Sequence, residues 1–264
     1  MPVPKRILSI HAHPDDAEIL AGGTLALLAQ RGHHLTIVTM TPGDCGSHDY
    51  SSEEIARIRR VEAANAASLI GANYICAEFR DLSIFIDDPS RRRVVELLRK
   101  TQPDLVLTAS PTDYMCDHEA TSKLVTDACF AAPAPNYLTG DPNPAPPLAA
   151  IPHLYFMNPI SGLDRDEVPV IPDFVVDVAS TFQLKRDMLA RHESQRKWLL
   201  EHHGMDDYLM TMEMWTRDTG AGVGIEYGEG FRRYKGHPYP QTPLLEELAG
   251  AGVIFYRHSD EYVP

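Results

Sequence analysis

Over about its first 130 residues the chain alternates short apolar runs with stretches of helical spacing, and this alternation constrains the fold most. Apolar runs with β-branched residues indicate buried strands at 7–12, 34–40, 74–79 and 104–110. Helical signals occupy 17–32, Ser51 to Gly71, 91–100, and the segment after Asp117 to about Cys129. Alternating strands and helices predict an α/β fold whose mostly parallel central sheet is flanked by helices.

The composition changes at about residue 133. Ten of the 21 prolines fall between 133 and 172, which predicts a long loop interrupted by one strand at 153–158. Beyond it we predict a strand at 174–179, a long helix from about 182 to 203 and a last apolar stretch at 252–256. These later signals favour an ordered surface excursion over a linker. We therefore expect one domain over 1–264, with a C-terminal extension from about 236.

Charge and hydropathy exclude several classes of function. The net charge of −13 opposes binding to nucleic acid or to anionic membranes. No apolar run approaches the ~18 residues of a membrane-spanning helix, and the N-terminal apolar run is too short for a signal peptide. We therefore expect a cytoplasmic protein. The four cysteines form no C-x-x-C pair, so neither a disulfide framework nor a four-cysteine zinc site is indicated.

Three polar side chains follow the first predicted strand directly: His13, Asp15 and Asp16. In an open parallel sheet, ligands bind beyond the carboxyl ends of the strands. Imidazole and carboxylate are the usual ligands of a catalytic zinc ion. Of two adjacent carboxylates, one can bind the metal while the other serves as a general base. The alternative is a solvated acidic loop that caps the next helix.

A second polar cluster, from Asp113 to His118, follows the strand at 104–110. His118 can supply a third metal ligand, which leaves positions open for water and substrate. Asp117 beside it could orient a catalytic group or fix the tautomer of a ring. An ordinary position at a helix N-terminus is the alternative for His118. Because both clusters follow strands of one predicted sheet, a shared metal site is favoured.

Residues 13–24, HPDDAEILAGGT, resemble the signature of the PIG-L/LmbE-like family of zinc-dependent N-deacetylases, A-H-P-D-D-x-E-x-x-x-G-G-T. Arg59 and Glu62 resemble the family's Arg-x-x-Glu helix, and the segments DYMCDH (113–118), HESQ (192–195) and YGEGFR (227–232) resemble later motifs. The resemblance covers about residues 6–235. It implies a Rossmann-like three-layer fold and the removal of acyl groups, usually acetyl, from amino sugars and their conjugates.

Carried over by position, the resemblance implies one zinc ion per chain, bound by His13, Asp16 and His118. Asp15 would be the general base and Asp117 the supporting carboxylate. Arg59 and His192 would bind the substrate, both from the same cleft.

The chain departs from the family pattern D-Y-H-P-D-H, because Met115 and Cys116 replace its histidine and proline. In the family that histidine is thought to assist the tetrahedral intermediate or to protonate the leaving amine, and a thioether can do neither. Tyr114 is adjacent and could supply the missing acid; His11, His48 and His192 are further candidates. Otherwise the substrate needs no such acid, or the protein performs different metal chemistry or none.

The leading hypothesis is a metal-dependent hydrolase that removes an N-acyl group, usually acetyl, from an amino sugar or sugar conjugate. One alternative is a metal-dependent hydratase or lyase acting on a small carboxylated substrate. Another is a non-catalytic protein that binds metal or sugar. The expected partner is a small molecule, not nucleic acid or a membrane. A homo-oligomer stays open, since the proline-rich segment could form an interface.

Overall fold

The structure, a computed structural model, describes residues 3–203 and 208–256. Within these ranges the strands are β1 (Arg6–His11), β2 (His34–Thr39), β3 (Asn73–Cys76), β4 (Leu105–Thr108), β5 (His153–Met157), β6 (Phe174–Asp177), β7 (Gly228–Arg233) and β8 (Val253–Phe255). The α-helices are α1 (Asp16–Gln30), α2 (Ser52–Ser68), α3 (Asp88–Thr101), α4 (Cys116–Ala131), α5 (Phe182–Leu189), α6 (Glu193–His203), α7 (Tyr208–Ala221) and α8 (Leu244–Ala249). No helix in the described ranges is long and apolar enough to cross a membrane.

The strands form one sheet in the order β3-β2-β1-β4-β5-β7-β6-β8. The strands from β3 to β5 in this order are parallel, whereas β7, β6 and β8 add in antiparallel fashion. Side chains of β1 alternate between two cores, since Ile7 packs with α1 on one face and Leu8 and Ile10 pack with α3 and α4 on the other. The predicted fold class, a mostly parallel sheet between layers of helices, is confirmed.

The proline-rich segment is part of this sheet. Its one predicted strand is β5, which pairs in parallel with β4 from Leu105↔His153 to Thr108↔Phe156. Residues 158–172 then form an ordered loop with a turn of 3-10 helix at Ile160–Gly162 and a bridge between Leu163 and Pro169. The loop is also held to α4, because Arg165 forms an ion pair with Glu119.

The predicted helix from 182 to 203 is wrong, because it is broken into α5 and α6 around His192. Tight turns end α5, with the amide of His192 bonded to the carbonyl of Leu189. The Glu62 carboxylate on α2 accepts from the Ser194 amide at 2.8 Å and from its hydroxyl. It thereby satisfies donors at the start of α6, so a new helix can begin there. The break depends on this distant carboxylate, and no proline or glycine marks it.

The paired glycines of α1 allow a close approach of α5 and the end of β6. A Cβ atom at Gly22 would lie 3.1 Å from Cγ of Lys185, and one at Gly23 would lie 2.6 Å from Cβ of Val178. The two glycines therefore permit close packing of α1 against these elements. At the start of α2, Ser51 and Glu54 cap each other in a capping box.

Candidate active site

The two polar clusters meet at one edge of the sheet. Strands β1 and β4 are parallel neighbours, with Ile10 opposite Thr108, so both chains leave the sheet at the same edge. Residues 13–16 begin α1 there, and residues 113–118 begin α4. The rule that polar groups gather beyond the carboxyl ends of parallel strands thus accounts for the meeting of these segments.

Three potential metal ligands form a nearly equilateral triangle. Nδ1 of His13 lies 3.3 Å from Nε2 of His118 and 3.5 Å from Oδ2 of Asp16, and the latter two atoms are 3.4 Å apart. Ligand atoms at ~2.0–2.1 Å from a tetrahedral zinc ion are separated by roughly 3.3–3.4 Å. The three side chains are buried. Spacing and donor chemistry therefore both fit a zinc-type ion, with a fourth position left for water or substrate.

The second nitrogen of each imidazole faces a carboxylate. Nε2 of His13 lies 3.1 Å from Oδ1 of Asp81 and 3.5 Å from Oδ2 of Asp117. Nδ1 of His118 lies 3.0 Å from Oδ1 of Asp113. Such outer carboxylates fix the tautomer and the orientation of ligand histidines. Asp117 is 1% exposed, and its carboxylate also accepts a 2.7 Å hydrogen bond from the amide of Leu82. It therefore lies beneath the site and not on the cavity surface.

Electrostatics hold the metal-free cluster in a charged state. Burial alone would lower the pKa of His118, but the charge of Asp16 and bonds to Asp113 and Asp16 outweigh it and raise the pKa to about 10. The pKa of His13 is raised in the same way by Asp117, Asp16 and Asp81, despite its burial. Burial likewise opposes the charge of Asp16, yet the two imidazoles lower its pKa well below the usual range. A metal ion would therefore displace protons from the two imidazoles.

Asp15 stands apart from the triangle in an unusual conformation. Its φ of 99° lies in the left-handed region, which a residue other than glycine seldom occupies. Its Oδ2 accepts a 2.5 Å bond from the Tyr208 hydroxyl and lies 3.8 Å from Nη2 of Arg59. Burial raises the pKa of Asp15, and the charge of Asp16 adds to this, while Arg59 opposes it. A raised carboxyl pKa suits a general base.

These residues line a cavity of about 710 Å³. Its floor includes His13, Asp15, Asp16 and His118. Apolar side chains from the second half of the chain form much of the wall, namely Ile160, Leu163, Trp198, Leu199 and Trp215. The carboxylates on its surface are those of Asp15, Asp16, Asp81, Asp164 and Glu167. The guanidinium groups on its surface belong to Arg59 and Arg165.

The predicted substrate contacts take different positions. Arg59 lines the cavity, but it is 3% exposed and its Nη2 donates to the carbonyl of Pro14 at 2.8 Å. Its guanidinium therefore holds the loop that carries Asp15. His192 is fully buried, with Nε2 3.5 Å from Glu18, and its ring does not reach the cavity surface in this structure. His192 thus lies behind the cavity surface in this structure, and its contact with substrate stays a prediction.

Tyr114 and Met115 both line the cavity. The Tyr114 side chain is 61% exposed, and its ring meets that of His118 edge-on at 5.6 Å between centroids. The other suggested sources of an acid lie elsewhere. His11 is fully buried against Ser9, and the His48 ring packs at a tilt against Trp198 beside a neighbouring cavity. Tyr114 is therefore the predicted acid that the structure places at the cavity surface.

Sequence reasoning missed Asp81 and Tyr208, and it assigned no role to Asp113. Asp81 follows β3, so the strand-end rule could have pointed to it. Asp113 lies in the second predicted cluster, but nothing in its spacing shows that it faces His118. Tyr208 begins α7 in the second half, and no local pattern connects it to Asp15.

The fold and this cluster define an α/β protein with a two-histidine, one-carboxylate site at the carboxyl edge of its sheet. A family model described as PIG-L, GlcNAc-PI de-N-acetylase, matches residues 8–129. This match covers just under half of the chain, and it agrees with the family resemblance of the sequence motifs.

Two curated relatives extend over most of the chain. It is 28% identical to diacetylchitobiose deacetylase of Thermococcus kodakarensis, over 86% of this chain and 82% of that protein. It is 26% identical to 4-oxalmesaconate hydratase of Pseudomonas putida, over 69% of this chain and 70% of that protein. The solved N,N'-diacetylchitobiose deacetylase from Pyrococcus horikoshii superposes with a TM-score of 0.74 at 27% identity, covering 91% of this chain and 88% of that one.

Proposed function

We propose that this protein is a zinc-dependent hydrolase that removes an N-acyl group, usually acetyl, from an amino sugar or sugar conjugate. The observation that carries the proposal is the division of labour between two adjacent carboxylates. Asp16 lies in the ligand triangle, whereas Asp15 lies outside it with a raised pKa. The relatives named as deacetylases support the same reaction.

His13, Asp16 and His118 would hold one zinc ion per chain. The ion supplies Lewis-acid polarisation of the acyl oxygen and activation of water. Asp81, Asp117 and Asp113 keep the two imidazoles in the orientation that such binding needs.

Asp15 takes the proton from the attacking water. Arg59 holds the Pro14 carbonyl and so fixes the loop that aims Asp15 at the cavity. When the tetrahedral intermediate collapses, the departing amine needs a proton. The thioether of Met115 carries no proton that it could donate. Tyr114, exposed in the cavity beside His118, is the proposed donor. We expect Tyr114→Phe to lower kcat about 10-fold or more. Wild-type rates in this variant would exclude the role.

A hydratase acting on a carboxylated substrate is the second candidate, favoured by the hydratase relative and by Met115. The charges of the cavity oppose it. Five carboxylates line the surface, and a bound divalent ion would offset only part of their charge. The two guanidinium groups of the surface are already engaged. Arg59 donates to backbone carbonyls, and Arg165 pairs with Glu119. A neutral N-acyl sugar fits these surroundings better than a polyanion does.

The decisive experiment is acetate release from N,N'-diacetylchitobiose and from simpler N-acetylglucosamine conjugates by zinc-loaded protein. We expect turnover by the wild type and a loss of at least about 100-fold in Asp15→Asn with zinc content unchanged. Loss of zinc in Asp15→Asn would instead make Asp15 a ligand. If no acetate appears while an unsaturated carboxylic acid is hydrated, the hydratase replaces this proposal. Met115→His then measures how far the missing imidazole limits deacetylation.

A further inference from the structure

A hydrogen bond from the second half of the chain restrains the Asp15 carboxylate. The hydroxyl of Tyr208, the first residue of α7, donates to Oδ2 of Asp15 at 2.5 Å. The two residues lie 193 positions apart in the sequence. No other hydrogen bond to the Asp15 carboxylate occurs among the described residues, and Arg59 approaches the same oxygen only to 3.8 Å. The Tyr208 hydroxyl is therefore the direct restraint on this side chain.

The ring of Tyr208 is fixed by packing. Tyr208 is 5% exposed and belongs to an apolar cluster with Phe182, Leu189 and Met212, against which Ile19 of α1 also packs. A buried phenol must find a hydrogen-bond partner, and a bond to a charged carboxylate is stronger than one to a neutral group. Because the cluster holds the ring, the hydroxyl holds one oxygen of Asp15 in place.

We propose that Tyr208 is a positioning residue for Asp15, occupying its Oδ2 so that Oδ1 is the oxygen that takes the proton from water. The inference rests on the proposed function, in which Asp15 is the general base. The left-handed backbone of Asp15 brings its side chain to the cavity, but its carboxylate can still rotate about the terminal torsion. The bond from Tyr208 removes this freedom before substrate binds, which is the preorganisation that proton transfer needs.

The test compares Tyr208→Phe with Tyr155→Phe in zinc-loaded protein, with N,N'-diacetylchitobiose as the probe. Tyr155 is a matched control, since it is a buried tyrosine whose hydroxyl donates to a carboxylate, Glu246, at 2.6 Å. We expect Tyr208→Phe to lower kcat by about 10- to 100-fold, with KM changed less than about two-fold and zinc content unchanged. Tyr155→Phe should leave kcat within about two-fold of the wild type, whatever its effect on stability.

A double variant shows whether Tyr208 acts through Asp15. Adding Tyr208→Phe to Asp15→Asn should cause no further loss of kcat, because the group being positioned is already absent. A further 10-fold loss would show that Tyr208 acts independently, and would overturn the proposal. If the Phe variant does not fold, Tyr208→His takes its place, because its imidazole is shorter than the phenol and does not reach Oδ2 of Asp15. Wild-type kcat in a folded Tyr208→His would overturn the proposal.

The outcomes separate this inference from the proposed function. If Asp15→Asn is inactive while Tyr208→Phe keeps the wild-type kcat, the base assignment stands and the role of Tyr208 is wrong. If Asp15→Asn is as active as the wild type, Asp15 is not the base. No turnover by the wild type would overturn the proposed function and this role together.

Discussion

The two halves of the chain contribute to the site in different ways. Residues 3–131, from β1 to α4, hold the ligand triangle, Asp15 and the outer carboxylates that orient the imidazoles. Residues 132–256 provide most of the apolar cavity wall and the Tyr208 hydroxyl, which donates a hydrogen bond to Asp15. The first half repeats a strand-helix unit, whereas the second adds the parallel strand β5 and the antiparallel strands β6, β7 and β8, with helices in no regular alternation. The residues assigned to metal binding and proton transfer thus lie in the first, regular half. The groups that position Asp15 and enclose the cavity come largely from the second, irregular half.

Removal of a ligand in the first half should have the largest effect. His118→Ala deletes one corner of the triangle and should abolish both zinc binding and acetate release, because two remaining ligands do not make a stable site. Far-ultraviolet circular dichroism should stay close to that of the wild type. His34→Ala, at the exposed start of β2, is the control. Full zinc occupancy in His118→Ala would show that the triangle is not the metal site.

A buried ion pair from the second half supports α1, the helix that carries Asp16. The Glu229 carboxylate accepts from the amides of Gly23 and Thr24 in α1 at 2.9 and 2.7 Å, and from Nζ of Lys185 at 2.7 Å. Glu229→Gln leaves the charge of Lys185 buried and unpaired. We expect a loss of about 3–5 kcal/mol in the free energy of unfolding, measured by urea denaturation.

The same measurement distinguishes a buried pair from a surface pair. Asp127→Asn breaks surface ion pairs with Lys123 and Arg91, and it should cost at most about 1 kcal/mol. Adding Lys185→Met to Glu229→Gln should restore part of the lost stability, since no unpaired charge then remains. A loss below 1 kcal/mol in Glu229→Gln would show that the second half does not stabilise α1 through this pair.

This division explains what the sequence could predict. His13, Asp16 and His118 follow strands whose apolar pattern is clear, and the parallel pairing of β1 and β4 brings them together. Tyr208 and Asp113 act through contacts between elements, and such contacts leave no periodic signal. The break between α5 and α6 has the same origin, because Glu62 on α2 satisfies the donors of Ser194.

The resemblance located Glu229 within a late motif without giving its role. The structure shows that this carboxylate enters α1 beside Gly23, where any larger residue would collide with Val178. The motif and the paired glycines therefore form one packing unit, although they are about 200 residues apart. Sequence order alone cannot show such a unit, because the two segments come together only when the chain folds.

The outer carboxylates of the first half should have a smaller effect than its ligands. Asp113→Asn keeps the shape of the side chain but removes the charge that faces Nδ1 of His118. Zinc affinity, measured by competition with a chelator, should fall about 10- to 100-fold. Glu167→Gln is the control, because Glu167 lines the same cavity and forms no ion pair with either imidazole among the described residues. Equal affinities in both variants would remove Asp113 from the site.

The smallest predicted effect concerns His11 at the end of β1, where the core of the regular half meets the site. Burial, partly offset by the charge of Asp16, lowers the pKa of His11 from 6.5 to about 4. Unfolding therefore takes up a proton below about pH 6.5, and His11 makes the fold less stable as the pH falls toward 4. Between pH 7 and 5.5 the loss in the free energy of unfolding amounts to about 1 kcal/mol.

In metal-free protein, the unfolding free energy of His11→Asn should fall less over this range than that of the wild type, whereas His34→Asn should follow the wild type. An identical pH slope in His11→Asn would show that His11 does not titrate on unfolding.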